Sequence, residues 1–375
     1  MQYSSLIKSE KISKLGFGLM RLPKIDENSE DIDFEKAGEL VDIAIKSGVN
    51  YFDTAFVYNG GNSEEFVGEV LTKYPRKSFY LATKLPGWSL KTNPNPKELF
   101  DFQLERCNVE YFDFYLLHSV NDDIAEVFEK TGSYEFLRQM KKEGKIKNIG
   151  FSFHGSLSLF KRWLKEYEWD FVQIQLNYYD WENQDAKTLY RLLEEKGIPC
   201  IVMEPVRGGS LQKLNDEARA VFSELSDDSP ASYALRFAAQ LPNVLTVLSG
   251  MSDKEQVLDN IKTFSGNIPL SEEETTAVNK AAVLFRKNFA VPCTSCGYCL
   301  EACPNSIAIP DIFMLFNEYN LSRDDAAFNK SYKDIPKNKN AGLCVECGEC
   351  IEHCPQKIDI PKKLKHIHKV PDSIG

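Results

Sequence analysis

The chain has 375 residues, of which 43% are hydrophobic and 27% are charged. This is globular composition at a length that favours two domains. The net charge is −10, and the acidity lies in the first 285 residues, which carry −11. This argues against non-specific nucleic-acid binding, which depends on basic residues that neutralise phosphates. Because no stretch approaches the roughly 18 apolar residues of a membrane span, and the chain starts without an apolar signal core, we expect a cytoplasmic protein with no membrane or nucleic-acid partner.

Apolar runs of strand length recur through the long first part of the chain. They begin at Lys14, Tyr51, Ser78, Tyr111, Ile146, Phe171, Pro199 and Val244. Segments of helical periodicity lie between them, such as the one that starts near Phe34 and ends at Gly48. Eight alternating pairs predict a closed (β/α)8 TIM barrel, with an open doubly wound sheet as the alternative.

Polar residues stand at the ends of the second, third and fourth predicted strands. They are Asp53, Tyr58, Lys84 and His118. Catalytic groups of such barrels lie at the carboxyl ends of the strands, so we expect these side chains to meet. An ammonium near a Tyr hydroxyl stabilises the phenolate. Lys84 can therefore make Tyr58 a proton donor, with Asp53 neutralising the lysine and a neutral His118 orienting a carbonyl oxygen.

Eight of the ten cysteines lie in two motifs near the end of the sequence. Each motif reads Cys-x2-Cys-x2-Cys-x3-Cys-Pro, the ferredoxin spacing for two [4Fe-4S] clusters. The fourth cysteine of each motif ligates the other cluster in such proteins. We therefore assign one cluster to Cys293, Cys296, Cys299 and Cys354, and the second to Cys344, Cys347, Cys350 and Cys303. A pair of zinc sites is the alternative.

This contrast in cysteine content predicts a barrel domain at residues 1–285 and an iron–sulfur domain at residues 286–375. The residues between the two motifs have helical apolar spacing, and the segment that starts at Ile360 is a further candidate helix. The second domain is therefore expected to be small and mainly helical. It resembles the alpha-helical ferredoxins that serve as electron-transfer modules within larger redox enzymes.

The barrel part resembles the aldo-keto reductases over residues 14 to 263. The resemblance is carried by GVNYFDTAFVYNGGNSEEFVGE at 48–69, LATK at 81–84 and DFYLLH at 113–118. The family's catalytic tetrad falls on Asp53, Tyr58, Lys84 and His118. The resemblance implies hydride transfer between a reduced nicotinamide, NADPH or NADH, and a small carbonyl or alcohol substrate, with Tyr58 as the proton donor.

The resemblance also implies where the nucleotide binds. The expected contacts are Ser152, Gln173 and Met203 at the nicotinamide, Pro205, Arg207 and Gly208 at the pyrophosphate, and Ser249, Gly250, Met251, Gln256 and Asn260 at the adenosine end. NADP-preferring members often have Lys, Ser and Arg where this chain has Gly250, Met251 and Gln256. The choice between NADP and NAD therefore stays open, with Arg207 and Lys254 as alternative cations.

Nicotinamide gives up two electrons as a hydride, whereas a [4Fe-4S] cluster passes one electron at a time. A flavin usually converts between the two, and the sequence contains no recognisable flavin motif. We expect the clusters to link a carbonyl-reducing barrel to a flavoprotein or another electron-transfer partner. The alternatives are a stand-alone reductase with structural or sensing clusters, and a non-catalytic electron-transfer or redox-sensing subunit.

Overall fold

The computed structural model describes residues 1–7, 10–26, 29, 31–288 and 290–371. The chain forms two compact units. Unit 1 contains Met1–Pro205 and Ser232–Glu272, and unit 2 contains Val206–Ala231 and Glu273–Gly375. The sequence-based division kept residues 206–231 in the barrel domain, whereas contacts group them with the cysteine-rich segment. The domain boundary at residues 285 and 286 stays a prediction.

Unit 1 is built on a closed barrel of eight parallel strands, so the predicted (β/α)8 fold is confirmed. The barrel strands are β3 (Leu15–Gly18), β4 (Tyr51–Asp53), β5 (Tyr80–Pro86), β6 (Phe112–Val120), β7 (Ile146–Phe153), β8 (Phe171–Gln175), β9 (Cys200–Met203) and β10 (Val244–Gly250). An antiparallel pair, β1 (Tyr3–Ser4) and β2 (Ile12–Ser13), precedes them and was not predicted. Apolar side chains such as Phe114 and Phe171 fill the barrel interior.

The helices follow the predicted alternation. In chain order they are α1 (Phe34–Lys46), α2 (Asn62–Val70), α3 (Gly87–Thr92), α4 (Pro96–Arg106), α5 (Asp122–Lys130), α6 (Ser133–Lys142), α7 (Leu157–Glu166), α8 (Asp180–Asn183), α9 (Ala186–Lys196), α10 (Asp216–Ser223), α11 (Pro230–Ala239), α12 (Lys254–Ser265), α13 (Glu272–Asn288), α14 (Tyr298–Glu301), α15 (Ile309–Ser322), α16 (Asp325–Asp334), α17 (Glu349–Glu352) and α18 (Ile360–His368). Within the part of the chain that the structure describes, no helix has both the length and the hydropathy of a membrane span.

Unit 2 is mainly helical, as predicted for the cysteine-rich segment. Its apolar core includes Ile312 and Phe313 of α15, Phe328 of α16, and Leu364 and Ile367 of α18. Most of the cysteines lie in or against this core. Each three-cysteine loop runs into a short helix, α14 or α17, through a glycine with positive φ, Gly297 (81°) or Gly348 (85°). Two equivalent turns therefore carry the two motifs.

Candidate functional site

Lys84 connects three of the four predicted catalytic residues. It lies in β5, beside the strand that ends at Asp53. Its Nζ donates hydrogen bonds to Asp53 Oδ1 at 2.6 Å, to the Thr54 carbonyl oxygen at 2.7 Å and to Tyr58 Oη at 3.2 Å. A lysine inside a barrel strand is costly unless it is paired, and these contacts supply its partners.

A short 3-10 turn, Tyr58–Gly61, carries the tyrosine just beyond β4. Asn59 has a φ of 53°, a left-handed conformation that Asn tolerates better than most residues. Its side chain donates to the Leu19 carbonyl oxygen at 2.9 Å and anchors the turn. Tyr58 is 8% exposed. The turn thus fixes a nearly buried phenol against the lysine.

Burial and the attraction between Lys84 and Asp53 shift the pKa of each residue in opposite directions. Burial lowers the pKa of Lys84, and the Asp53 carboxylate opposes this shift. Burial raises the pKa of Asp53, and the Lys84 ammonium opposes that shift. The pair is hydrogen-bonded and almost fully buried, which places a fixed ammonium beside the Tyr58 hydroxyl.

His118 completes the tetrad from β6, where it is the register partner of Pro86 in β5. Its ring packs edge-on to Tyr58 with centroids 6.1 Å apart. The pKa of His118 lies well below its usual value of 6.5 because the ring is buried and because Lys84 and His154 lie nearby. The imidazole is therefore neutral at neutral pH. The structure brings all four predicted catalytic residues together.

Trp88, which was not among the predicted site residues, packs against His118. Trp88 lies at the start of α3, directly after β5, and its ring is 4.9 Å from that of His118 between centroids. It gives the site an aromatic wall. Its position just beyond a strand that ends in a polar site was the available signal.

A buried hydrogen-bond network that was not predicted contacts the backbone of Lys84. Gln103 Nε2 donates to the Lys84 carbonyl oxygen at 3.1 Å and to Glu64 Oε1 at 2.5 Å. Thr83 Oγ1 donates to the same carboxylate oxygen at 2.6 Å, and Arg106 lies 3.6 Å from Glu64 Oε2. The network holds the backbone of β5 in place. Glu64 and Gln103 lie on helices, and no local sequence signal indicates that they are buried.

The residues expected at the nicotinamide lie on neighbouring strands. Ser152 and Gln173 are register partners in β7 and β8. Ser152 Oγ accepts a hydrogen bond from the Ser119 amide at 2.7 Å, and Gln173 Nε2 lies 3.5 Å from Met203 Sδ. Gln173 Oε1 is buried and has no hydrogen-bond partner among the described residues. That orphaned acceptor fits the amide donors of a nicotinamide carboxamide.

Several residues expected at the adenosine end make hydrogen bonds within the protein. Asn260 Nδ2 donates to Ser249 Oγ at 2.9 Å, which joins α12 to β10. Gln256 is used by the start of α12, where its Oε1 accepts from the Ser252 amide and its Nε2 donates to Asp253. Met251 is fully buried, and its side chain therefore belongs to the core. Gly250 is exposed at the end of β10.

The loop after β9 passes from unit 1 into unit 2. Pro205 is buried in unit 1, whereas Arg207 and Gly208 belong to unit 2. Arg207 is fully buried, and its guanidinium donates to the Pro292 carbonyl oxygen at 3.4 Å and to Gln356 Oε1 at 3.1 Å. The guanidinium thus contacts the cysteine-rich segment, and a contact of Arg207 with the nucleotide stays a prediction.

The eight motif cysteines line two cavities in the grouping that the spacing suggested. The first is lined by Cys293, Cys296, Cys299 and Cys354, and the second by Cys303, Cys344, Cys347 and Cys350. Four thiols around one space fit the donor set of a four-iron cube. Among the described residues, no three His, Cys, Asp or Glu side chains are arranged around a single metal ion.

Burial raises the pKa of several of these thiols. It raises the pKa of Cys350 to about 11, and it raises those of Cys293, Cys299 and Cys354 as well. Neighbouring cysteines add to the shift at Cys299 and Cys350. Metal binding must therefore displace protons from these thiols before they act as thiolate ligands.

The chain is similar to known proteins over both parts. The profile of the Aldo/keto reductase family matches residues 14–283, and that of the 4Fe-4S dicluster domain matches residues 292–358. An uncharacterized oxidoreductase of Bacillus subtilis (strain 168) is 28% identical over 302 residues, covering 71% of this chain and 92% of that protein. The NADH-specific methylglyoxal reductase of Escherichia coli (strain K12) is 26% identical over 317 residues, covering 72% and 95%.

A solved structure supports the same relationship. The holo form of an aldo-keto reductase from Bacillus halodurans matches with a TM-score of 0.59 and 27% sequence identity, covering 75% of this chain and 95% of that chain. The chain belongs to the aldo/keto reductase family, as an NAD(P)-dependent oxidoreductase that also carries a 4Fe-4S dicluster domain.

Proposed function

We propose that the barrel reduces an aldehyde or a ketone with NADH or NADPH, and that Tyr58 donates the proton to the carbonyl oxygen. One observation carries this proposal: the buried ammonium of Lys84 lies 3.2 Å from the Tyr58 hydroxyl and 2.6 Å from Asp53. A positive charge at that distance stabilises the phenolate that forms when the proton leaves. Asp53 keeps the ammonium in place and balances its charge.

His118 and Trp88 prepare the carbonyl for this step. The imidazole is neutral and lies beside the Tyr58 ring, so it can hold a carbonyl oxygen by a hydrogen bond without competing as a strong acid. The Trp88 ring forms an apolar wall next to the imidazole. Such a wall keeps water from the reacting carbonyl and favours a substrate with an apolar face.

Gln173 and Ser152 are the residues that would hold the nicotinamide. Gln173 Oε1 is a buried acceptor with no partner among the described residues, which matches the amide end of the ring. When bound, the reduced nicotinamide supplies the hydride. The Escherichia coli relative is named as NADH-specific and as a methylglyoxal reductase. That name supports a small carbonyl as the substrate class, and the choice between NADH and NADPH is left to the assay.

For the cysteine region we propose two [4Fe-4S] clusters that exchange single electrons with a flavoprotein or another electron-transfer partner. Ile309 lines both cavities, so one side chain separates two neighbouring cluster sites. The second site faces solvent, because Cys347 is exposed and Val345 beside it is 66% exposed. Adjacent clusters with one solvent-facing edge suit electron transfer to a docked partner.

Replacing Tyr58 with Phe tests the proposed reaction. The Tyr58→Phe variant should lose carbonyl reduction by about 10²–10⁴-fold, the usual contribution of a general acid. Its affinity for NADH and NADPH, measured by quenching of Trp fluorescence, should change little. The matched control is Tyr190→Phe, which removes a buried hydroxyl that contacts Glu194 and the Asn243 amide. Turnover by Tyr58→Phe at the rate of Tyr190→Phe would rule out Tyr58 as the proton donor.

A further inference from the structure

The segment Val206–Ala231 lies with the cysteine-rich unit although it directly follows barrel strand β9 in the sequence. Arg207 is the first charged residue of this segment and is fully buried. Its φ is 51°, a backbone conformation that is unfavourable for a residue other than glycine. The surrounding contacts therefore hold this arginine in a conformation that it would not adopt by itself.

Those contacts reach both stretches of chain that form the first cysteine-lined cavity. The guanidinium donates to the carbonyl oxygen of Pro292, the residue before Cys293, and to the side chain of Gln356, which lines the same cavity as Cys354. Gly208 packs directly against the backbone of Thr294, because a Cβ at position 208 would lie 2.1 Å from the Thr294 carbonyl oxygen. The buried guanidinium is thus fixed against the wall of this one cavity.

We propose that Arg207 is a positioning residue that raises the reduction potential of the cluster held by Cys293, Cys296, Cys299 and Cys354. This rests on the cluster part of the proposed function. Reduction adds one electron, taken from an external one-electron donor, and makes the cluster more negative by one charge. The guanidinium stays protonated throughout, and no proton moves. A fixed positive charge in a buried position stabilises the reduced form more than the oxidised form.

The second cavity differs in the kind of cation near it. Neither cavity has a charged side chain in its lining, but the buried Arg207 is hydrogen-bonded to Gln356 in the lining of the first. Near the second cavity lies Lys365, whose side chain is 58% exposed and is ion-paired with Glu346 at 2.7 Å. Water and salt screen such a charge far better than a buried one. Arg207 therefore makes the reduction potential of the first cluster higher than that of the second. The first electron goes to the cluster beside Arg207.

A potentiometric titration of the iron-loaded full chain tests this proposal. The protein is reduced stepwise with dithionite under anaerobic conditions, and the EPR signals of the reduced clusters are followed. We expect Arg207→Gln to make one cluster at least about tenfold harder to reduce, which is about 59 mV for one electron. The other cluster should keep its potential. Arg207→Lys retains the charge and should restore most of the shift.

Arg219→Gln is the matched control, because Arg219 is exposed, lies in the same segment and donates to the Leu214 carbonyl oxygen. It should leave both potentials unchanged.

Iron content separates the possible failures. Wild-type protein that cannot bind iron would overturn the cluster assignment and this inference with it, but not carbonyl reduction at Tyr58. Two fully loaded clusters with unchanged potentials in Arg207→Gln would overturn the role of Arg207 alone, as would an equal shift in Arg219→Gln. If Arg207→Gln does not load iron, the Arg207→Lys titration decides: potentials that match the wild type support the proposal, and two potentials that have moved together contradict it.

Discussion

The barrel site and the cysteine cavities of this protein differ in how their buried ionisable groups are satisfied. In the barrel, Lys84 and Asp53 are charged partners of each other, and hydrogen bonds within the protein satisfy the lysine. In the cavities, burial raises the pKa of thiols such as Cys299 and Cys350. Binding of the proposed clusters would displace the thiol protons and leave charged ligands. The charged pair of the barrel is thus complete within the protein, whereas the cysteine sites would be completed by metal.

Removing Lys84 from the Lys84–Asp53 pair should have the largest effect on activity and stability. In Lys84→Met the Tyr58 hydroxyl loses its neighbouring ammonium, and Asp53 is left buried without its partner. We expect carbonyl reduction to fall by about 10²–10⁴-fold and the free energy of unfolding to fall by about 3–5 kcal/mol. Steady-state kinetics and chemical unfolding of the barrel measure the two effects.

Lys14→Met provides the control for that variant. Lys14 is half-buried, and its Nζ donates to the Val244 carbonyl oxygen at the start of β10. It lies at the opposite ends of the strands from the tetrad. Lys14→Met should therefore retain turnover even if its stability falls. Equal losses of activity in the two variants would mean that the Lys84 effect comes from instability and not from catalysis.

Removing iron should destabilise the cysteine-rich region and leave the barrel unchanged. We expect amide hydrogens of α15 and α18 to exchange at least about 100-fold faster after anaerobic chelation, which corresponds to about 2.7 kcal/mol of lost stabilisation. Amides of barrel strands such as β6 should keep their protection, because their hydrogen bonds and packing do not involve the metal. Hydrogen exchange followed by mass spectrometry resolves both regions in one sample. Unchanged exchange in α15 and α18 would contradict the dependence on metal.

Much of the barrel, and the proximity of the four candidate catalytic residues, could be predicted from the sequence because local signals specify them. Alternating apolar runs specify the strands, and Asp53, Lys84 and His118 stand at or near strand ends, where parallel register brings them together. The cysteine grouping followed from spacing in the same way. Both are cases in which the position in the sequence nearly determines the position in space.

The missed features depend on long-range packing. Nothing local distinguishes Gln103 on α4 from an exposed helical glutamine, yet it binds the backbone of Lys84. Arg207 lies in a loop whose sequence resembles a nucleotide-binding element, yet its guanidinium contacts Pro292, 85 residues further along the chain. Such contacts are decided by which segments pack together, and one sequence contains little information about that.

We propose that two-electron chemistry takes place in the barrel and one-electron chemistry in the cysteine region, with a flavin-type partner between them. The most direct test is an anaerobic titration of the iron-loaded protein with NADH and then NADPH, with and without added flavin. Cluster absorbance and EPR are followed, and dithionite establishes that the clusters are reducible. We predict no cluster reduction by nucleotide alone and reduction when flavin is present. Reduction by nucleotide alone, or none with flavin although dithionite reduces the clusters, would contradict this account.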